Sequence, residues 1–150
     1  MKRNILVPFD GSDSASEALH LAIAFAKTLQ EKIIVLHVQP KILTTHVKQF
    51  LNEKFDEEII RSYKEDLFEK TVASAKTILD GSGVEYEIKR RTGDAKEQII
   101  DEAKGMCMIV MGSRGMNPIL GGVMGSVSYG VLNSTPCPVT IVPFSCISAK

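Results

Sequence analysis

Residues 111 to 132 read MGSRGMNPILGGVMGSVSYGVL, and six of these twenty-two are glycine: Gly112, Gly115, Gly121, Gly122, Gly125 and Gly130. Ordered glycine costs backbone entropy, so a cluster of this density needs a cause. Anion binding is one. Gly112 and Gly115 allow a sharp turn that leaves backbone N–H groups facing a ligand, and Gly125-Ser126 opens a helix through Val127 and Val131, whose free amides and dipole favour a phosphate. Ser126 can either cap that helix or donate its hydroxyl to a phosphate oxygen, and Arg114 is the one cation inside the loop. A plain glycine-rich connection is the competing explanation. Two better-known nucleotide loops are absent, since the sequence holds no GxxxxGK[ST] and no GxGxxG after its first apolar run.

Asp10 is the second group placed for chemistry. It stands at the end of "ILVPF", where it could meet a ligand or cap the helix that follows, for which "DGSDS" supplies several candidates. His20, His37 and His46 have no partner at metal-ligand spacing, and a hydrogen-bonded core role suits His37, which projects from an otherwise apolar run. Cys107, Cys137 and Cys146 are odd in number, far apart in sequence and in no zinc spacing, so buried or inert thiols are expected. No nucleophile and base pair is visible, and no second acid near Asp10 completes a metal cage. Catalytic residues are therefore not assigned.

These groups need elements to hold them. Asn4 to Phe9 and Lys32 to Val38 read as buried strands, and "CMIVMG" from Cys107 is apolar on both faces, which suits the sheet centre. "VEYEIKR" from Val84 alternates apolar and polar, so it belongs at an edge with one face in water. Ser14 and Glu17 form a capping box before Ala15, Ala18, Leu19, Ala22, Ala26 and Leu29; Asp94 and Glu97 form another before Ile99, Ile100 and Ala103, closed by Gly105. Ile59, Ile60, Tyr63, Leu67, Val72, Ala75 and Leu79 mark a long amphipathic helix ending at Asp80-Gly81-Ser82-Gly83. Gln39 to Lys54 is either a loop or carries a short helix with Val47, Phe50 and Leu51. Strands alternating with helices imply a parallel sheet covered on both faces, in one domain spanning 1–150, with ligands bound beyond the carboxyl ends of the strands.

Composition excludes other classes. The 150 residues carry 18 basic and 18 acidic side chains, without a basic run that would read nucleic acid or an anionic membrane, and 44% hydrophobic content is enough for a core. The apolar run after Met1-Lys2-Arg3 breaks at Pro8 and Asp10, too short for a signal peptide or membrane span, so a cytoplasmic protein is expected.

Written as a pattern, the glycine stretch is Gly112, two residues, Gly115, nine residues, then Gly125-Ser126. With "ILVPFDGS", "VLHV", "IVMGSRG" and "PVTIV", it resembles the universal stress protein family along the whole chain. The resemblance implies an α/β fold with an open five-stranded parallel sheet, order 3-2-1-4-5, and helices on both faces, Rossmann-like and similar to the adenine nucleotide alpha hydrolases. It also implies ATP, or ADP or AMP, with Mg²⁺ or Mn²⁺ on the phosphates. Carried over residue by residue, Asp10 would meet the ribose or the metal, Val38 would offer backbone groups to adenine, and Gly112, Gly115, Gly125 and Ser126 would hold ribose and phosphates. Pro8, Phe9, Met111, Arg114, Val127 and Ser128 would line the same cleft. Gly121-Gly122 departs from the bulkier residues that members often carry there.

The function expected on this resemblance is a nucleotide-linked regulatory or stress-response protein with at most slow ATP hydrolysis. An ATP pyrophosphatase or nucleotidyl transferase is the alternative, but "FDGSDS" puts Phe9-Asp10 where the SGGxDS of those folds needs bare amides. A phospho-acceptor receiver domain would need a Lys after the last strand, where Val142-Pro143-Phe144 stands. The last strand, bounded by Pro138 and Pro143, should lie at a sheet edge, and the family resemblance favours a homodimer pairing Val139, Thr140, Ile141 and Val142 across a two-fold axis.

Overall fold

The computed structural model describes residues 3–41, 57–114 and 124–143. Five parallel strands, β1 (Ile5–Pro8), β2 (Ile33–Gln39), β3 (Tyr86–Thr92), β4 (Met108–Gly112) and β5 (Val139–Val142), form one sheet in the order β3-β2-β1-β4-β5. Four described helices connect them: α1 (Asp13–Leu29), α2 (Glu57–Leu79), α3 (Ala95–Ala103) and α4 (Ser126–Ser134). The expected strand order is thus the observed one. The suggested short helix at Val47, Phe50 and Leu51 lies outside the described residues.

Side-chain alternation in the strands sorts the core into two layers. Ile5, Val7, Ile33, Val35 and Val110 point to the face covered by α1 and α2, where they meet Ala18, Leu19, Ala22, Ala75 and Leu79. Leu6, Ile34, Leu36, Ile109 and Met111 point the other way, onto Ile99 and Ala103 of α3 and Val131 of α4. Since β1 is covered on both sides, Ile5, Leu6 and Val7 are all fully buried, each worth roughly 1.5–3 kcal/mol of transfer free energy.

Helix ends follow local chemistry. At α3, Asp94 accepts a hydrogen bond from the Glu97 backbone N–H at 3.0 Å, as the capping box predicts, and Gly105 adopts φ +82° just past the end. At α1 the expected cap is displaced by two residues: Ser12, not Ser14, is the N-cap, accepting from the Ala15 N–H at 3.1 Å. Gly11 at φ +85° makes the turn that brings Ser12 into place, and Ser14 is carried inward against β4. The edge position of β3 matches its alternation. Lys89 and Arg91 reach down to the buried carboxylate of Glu102 on α3, at 2.6 and 2.9 Å, which fastens that helix under the edge strand.

Candidate functional site

Beyond the carboxyl ends of β1, β2 and β4 lies a cavity of about 380 Å³, within the range of small-molecule sites. Pro8, Phe9 and Asp10 line it from the end of β1, Leu36 and Val38 from β2, Ala15 from α1, and Ala95 and Ile99 from α3. Met111, Gly112 and Arg114 close it from β4, and Met124, Gly125, Ser126, Val127 and Ser128 from the start of α4. Eleven of the twelve residues singled out from the sequence therefore line one cavity. The twelfth, Gly115, lies outside the described residues, as do Gly121 and Gly122. Ala15, Leu36, Ala95, Ile99 and Met124 were missed. Ala95 and Ile99 are i and i+4 directly after the Asp94 cap, a helix stripe whose meaning depends on knowing which side of the sheet α3 covers.

Backbone geometry leaves polar groups open in this cavity. The Phe9 N–H donates to the Leu36 carbonyl at 2.9 Å, while the Gly93 N–H donates to the Gln39 carbonyl at 2.9 Å, so alternate residues of β2 serve opposite neighbours. Val38 shares the orientation of Leu36, and β1 has ended at Pro8 opposite Leu36. The Val38 N–H and C=O therefore face the cavity rather than a strand.

The start of α4 is equally open. Its N-cap is Gly125, which has no side-chain hydrogen bond to give, and no acidic residue lies in the first turn. Of the two roles open to Ser126, this removes the cap, because Ser126 is already the first helical residue. The Gly125 N–H is spent on the Ser113 carbonyl at 2.7 Å, and the Gly125 carbonyl accepts from Tyr129. The next three amides, of Ser126, Val127 and Ser128, have no acceptor within the helix. Ser128 is buried and its hydroxyl donates to the Gly112 carbonyl at 2.8 Å, tying α4 to β4.

Gly112 also departs from the expectation. It is the last residue of β4, still paired with Val142 rather than turning the chain, and an added Cβ would lie 2.8 Å from the Ser14 carbonyl carbon and closer still to the Ser14 hydroxyl. Its lack of a side chain answers to the packing of α1 on β4. Gly125 is tight in a milder way, since a Cβ there would stand 3.2 Å from the Ser113 carbonyl oxygen.

Asp10 does not cap α1. One carboxylate oxygen accepts the Ser12 N–H at 2.9 Å, an Asx turn that fixes the chain leaving β1. It is the one acid on the described cavity wall, and among the described residues no group of three His, Cys, Asp or Glu side chains could hold a metal ion. A divalent ion fits here only if phosphate oxygens supply most of its ligands, as Mg²⁺ commonly requires. Arg114 is buried beside the same wall, with its backbone N–H 3.4 Å from the Ser14 hydroxyl.

Elsewhere, His37 is a core residue as expected, but neither ring nitrogen makes a hydrogen bond, and burial holds its pKa below the usual histidine range. Cys107 and Cys137, thirty residues apart in sequence, stand two positions before the paired residues Ile109 and Val139 of neighbouring strands. They pack against opposite core layers and remain free thiols, and burial pushes the Cys107 pKa up. No described helix is long and apolar enough to cross a membrane.

Comparison with known proteins agrees with this architecture. The sequence model of the universal stress protein family matches residues 1–143. The universal stress protein YxiE of Bacillus subtilis (strain 168) is 34% identical over 148 residues, covering 95% of this chain and 99% of its own. Among solved structures, the protein MJ0577 superposes with a TM-score of 0.76 at 31% identity, covering 95% of this chain and 96% of its own. A universal stress protein of Archaeoglobus fulgidus in complex with dAMP gives a TM-score of 0.65 at 24% identity, covering 93% and 96%, a likeness of fold. With a family match over nearly the whole chain and the 3-2-1-4-5 sheet beneath it, this protein belongs to the universal stress protein family.

Proposed function

We propose that the chain, as a single universal stress protein domain, binds ATP in the cavity at the carboxyl end of the sheet and acts as a nucleotide-linked regulatory protein. The observation that carries this reading is the uncapped start of α4, where three amides without helical acceptors border a cavity that also holds Arg114. A polyphosphate satisfies those amides and the helix dipole together. Adenine suits the opposite wall, where Leu36, Ile99 and Met111 are apolar and the Val38 backbone can read the base edge without a side chain. Asp10 is then left for the ribose hydroxyls or for Mg²⁺ or Mn²⁺ carried on the phosphates, and Gly115 for the phosphate loop.

Bound nucleotide shifts the population of a surface that partners read. Hydrolysis is slow, because among the described residues the cavity wall offers no base other than Asp10, which already holds the Ser12 amide. Two copies pair through β5, whose Val139, Thr140 and Ile141 are half-exposed at the sheet edge. A monomer mass by light scattering overturns that assembly.

Isothermal calorimetry and thermal unfolding with MgATP test the main reading. At a hundredfold excess over the dissociation constant, ATP stabilises the fold by about 2.7 kcal/mol. No heat and no thermal shift at millimolar ATP would sink it, and pyrophosphate release at enzyme-like rates would favour the transferase class instead.

A further inference from the structure

On the other face of the sheet, at the same end, β2 and β3 carry a polar cluster that the nucleotide site does not use. His37 is 6% exposed and Gln39 4% exposed, and both His37 ring nitrogens and the Gln39 Nε2 lack hydrogen-bond partners. The His37 ring centre lies 5.4 Å from that of Phe68 on α2. The Arg90 guanidinium, from β3, lies 4.4 Å from the centre of the same Phe68 ring. Arg90 also donates to Glu65 of α2 at 2.6 Å and to the Gln39 side-chain oxygen at 2.9 Å.

This cluster ties the middle of α2 to the sheet. Ile60 is buried near the helix start, and Thr71, Ala75 and Leu79 are buried toward its end, but Ile59 and Tyr63 are 52% and 60% exposed. Between Ile60 and Thr71 no side chain of α2 is fully buried, and Phe68 with Glu65 makes the specific contacts to the sheet. We propose that the His37–Phe68–Arg90 cluster is an acid-sensitive latch, closed while His37 is neutral, whose protonation frees the middle of α2 from the β2–β3 edge.

The physical cause is local. An imidazolium at His37 would place a second cation against a ring that Arg90 already approaches, and among the described residues only the Phe9 backbone stands near enough to accept from one of its two N–H donors. Among the described groups acting on His37, burial and Arg90 disfavour the charge, while the Phe9 backbone and the Asp10 carboxylate favour it, Asp10 least. The net effect is a pKa below 6.5 in the latched state. With α2 lifted away, the ring regains water and an ordinary pKa, so the open form binds the proton more tightly. Opening is therefore unaffected well above pH 6.5 and grows as pH falls below it, levelling off under the pKa of the latched ring.

Amide hydrogen exchange of the whole protein tests this without nucleotide, so its outcome is separate from the ATP reading. After division by intrinsic exchange rates, protection of the amides in residues 62–72 should fall more than twofold between pH 7.5 and pH 5.5, with about tenfold as the upper limit for an open-state pKa of about 6.5. His37→Phe, which keeps a ring against Phe68 but cannot titrate, should make that protection independent of pH. A change under twofold in the parent, or an equal change in His37→Phe, overturns the latch. If His37→Phe does not fold, the ring proton shifts of His37 in the parent decide: titration below 6.5 supports the proposal, and titration at or above 6.5 overturns it.

Discussion

Among the helix starts at the carboxyl end of this sheet, those of α1 and α4 are built in opposite ways. At α1, Ser12 caps the first turn by accepting the Ala15 amide, Asp13 adds a negative charge to it, and Asp10 holds the Ser12 amide, so side chains of this chain serve that end. At α4, Gly125 provides no side chain, no acid sits in the first turn, and the amides of residues 126–128 lack helical acceptors. α3 resembles α1, with Asp94 as cap and Glu97 in the first turn. Orphan amides at a helix start normally attract a capping side chain, worth about 1 kcal/mol. Forgoing that stabilisation at α4, while α1 and α3, whose first turns also line the cavity, keep a side-chain cap, is what a site reserved for an external anion requires.

The largest test of this contrast is Gly112→Ala. If that glycine serves the packing of α1, the added methyl must displace the Ser14 backbone, and the protein should lose roughly 3 kcal/mol in urea unfolding whether or not ATP is present. A stable Gly112→Ala protein with weakened ATP binding would return Gly112 to the ligand. Next in size is Ser126→Asp, which gives α4 the acid that α1 already has. Stability of the empty protein should rise by about 0.3–1 kcal/mol, because the charge meets the helix dipole. ATP affinity should fall at least about tenfold, since the carboxylate competes with phosphate and repels it. Loss of both stability and affinity would mean that Ser126 is simply intolerant of change.

Much of this was legible in the sequence, for definite reasons. The strand order followed from the family resemblance, and the edge position of the third strand from the half-polar alternation of Val84 to Arg90, because a sheet edge with one wet face leaves a period of two. Asp94 was readable as a cap because its partner Glu97 lies three residues away. The α1 cap was misplaced because "DGSDS" holds several equivalent candidates, and Gly11 at positive φ selected among them. The packing of Gly112 against α1 left no trace in the sequence because its neighbour, Ser14, is about a hundred residues distant in the chain, and close approach between elements leaves no local mark. The same contact question weakens Gly125→Val as a test of phosphate binding, since the new side chain meets the Ser113 carbonyl before any ligand. Ala95 and Ile99 were missed because α3 is a good amphipathic helix whichever neighbour it covers.

The finest test compares two serines at the two helix starts. Ser12→Ala removes a hydroxyl that accepts the Ala15 amide, so unfolding free energy should drop by about 1 kcal/mol while ATP affinity stays within a factor of two. Ser126→Ala removes a hydroxyl that is exposed and does not cap, so stability should change by less than about 0.5 kcal/mol. If that hydroxyl donates to phosphate, affinity should fall by roughly 0.5–1.5 kcal/mol, the worth of one hydrogen bond. AMP then locates the bond along the ligand. A hydroxyl serving the outer phosphates gives Ser126→Ala a loss for ATP that AMP does not share, whereas equal losses place it at the α-phosphate or ribose. Unchanged affinity for both nucleotides would leave the bare amides of α4, without the Ser126 hydroxyl, as the anion contact, and the contrast with α1 would rest on backbone alone.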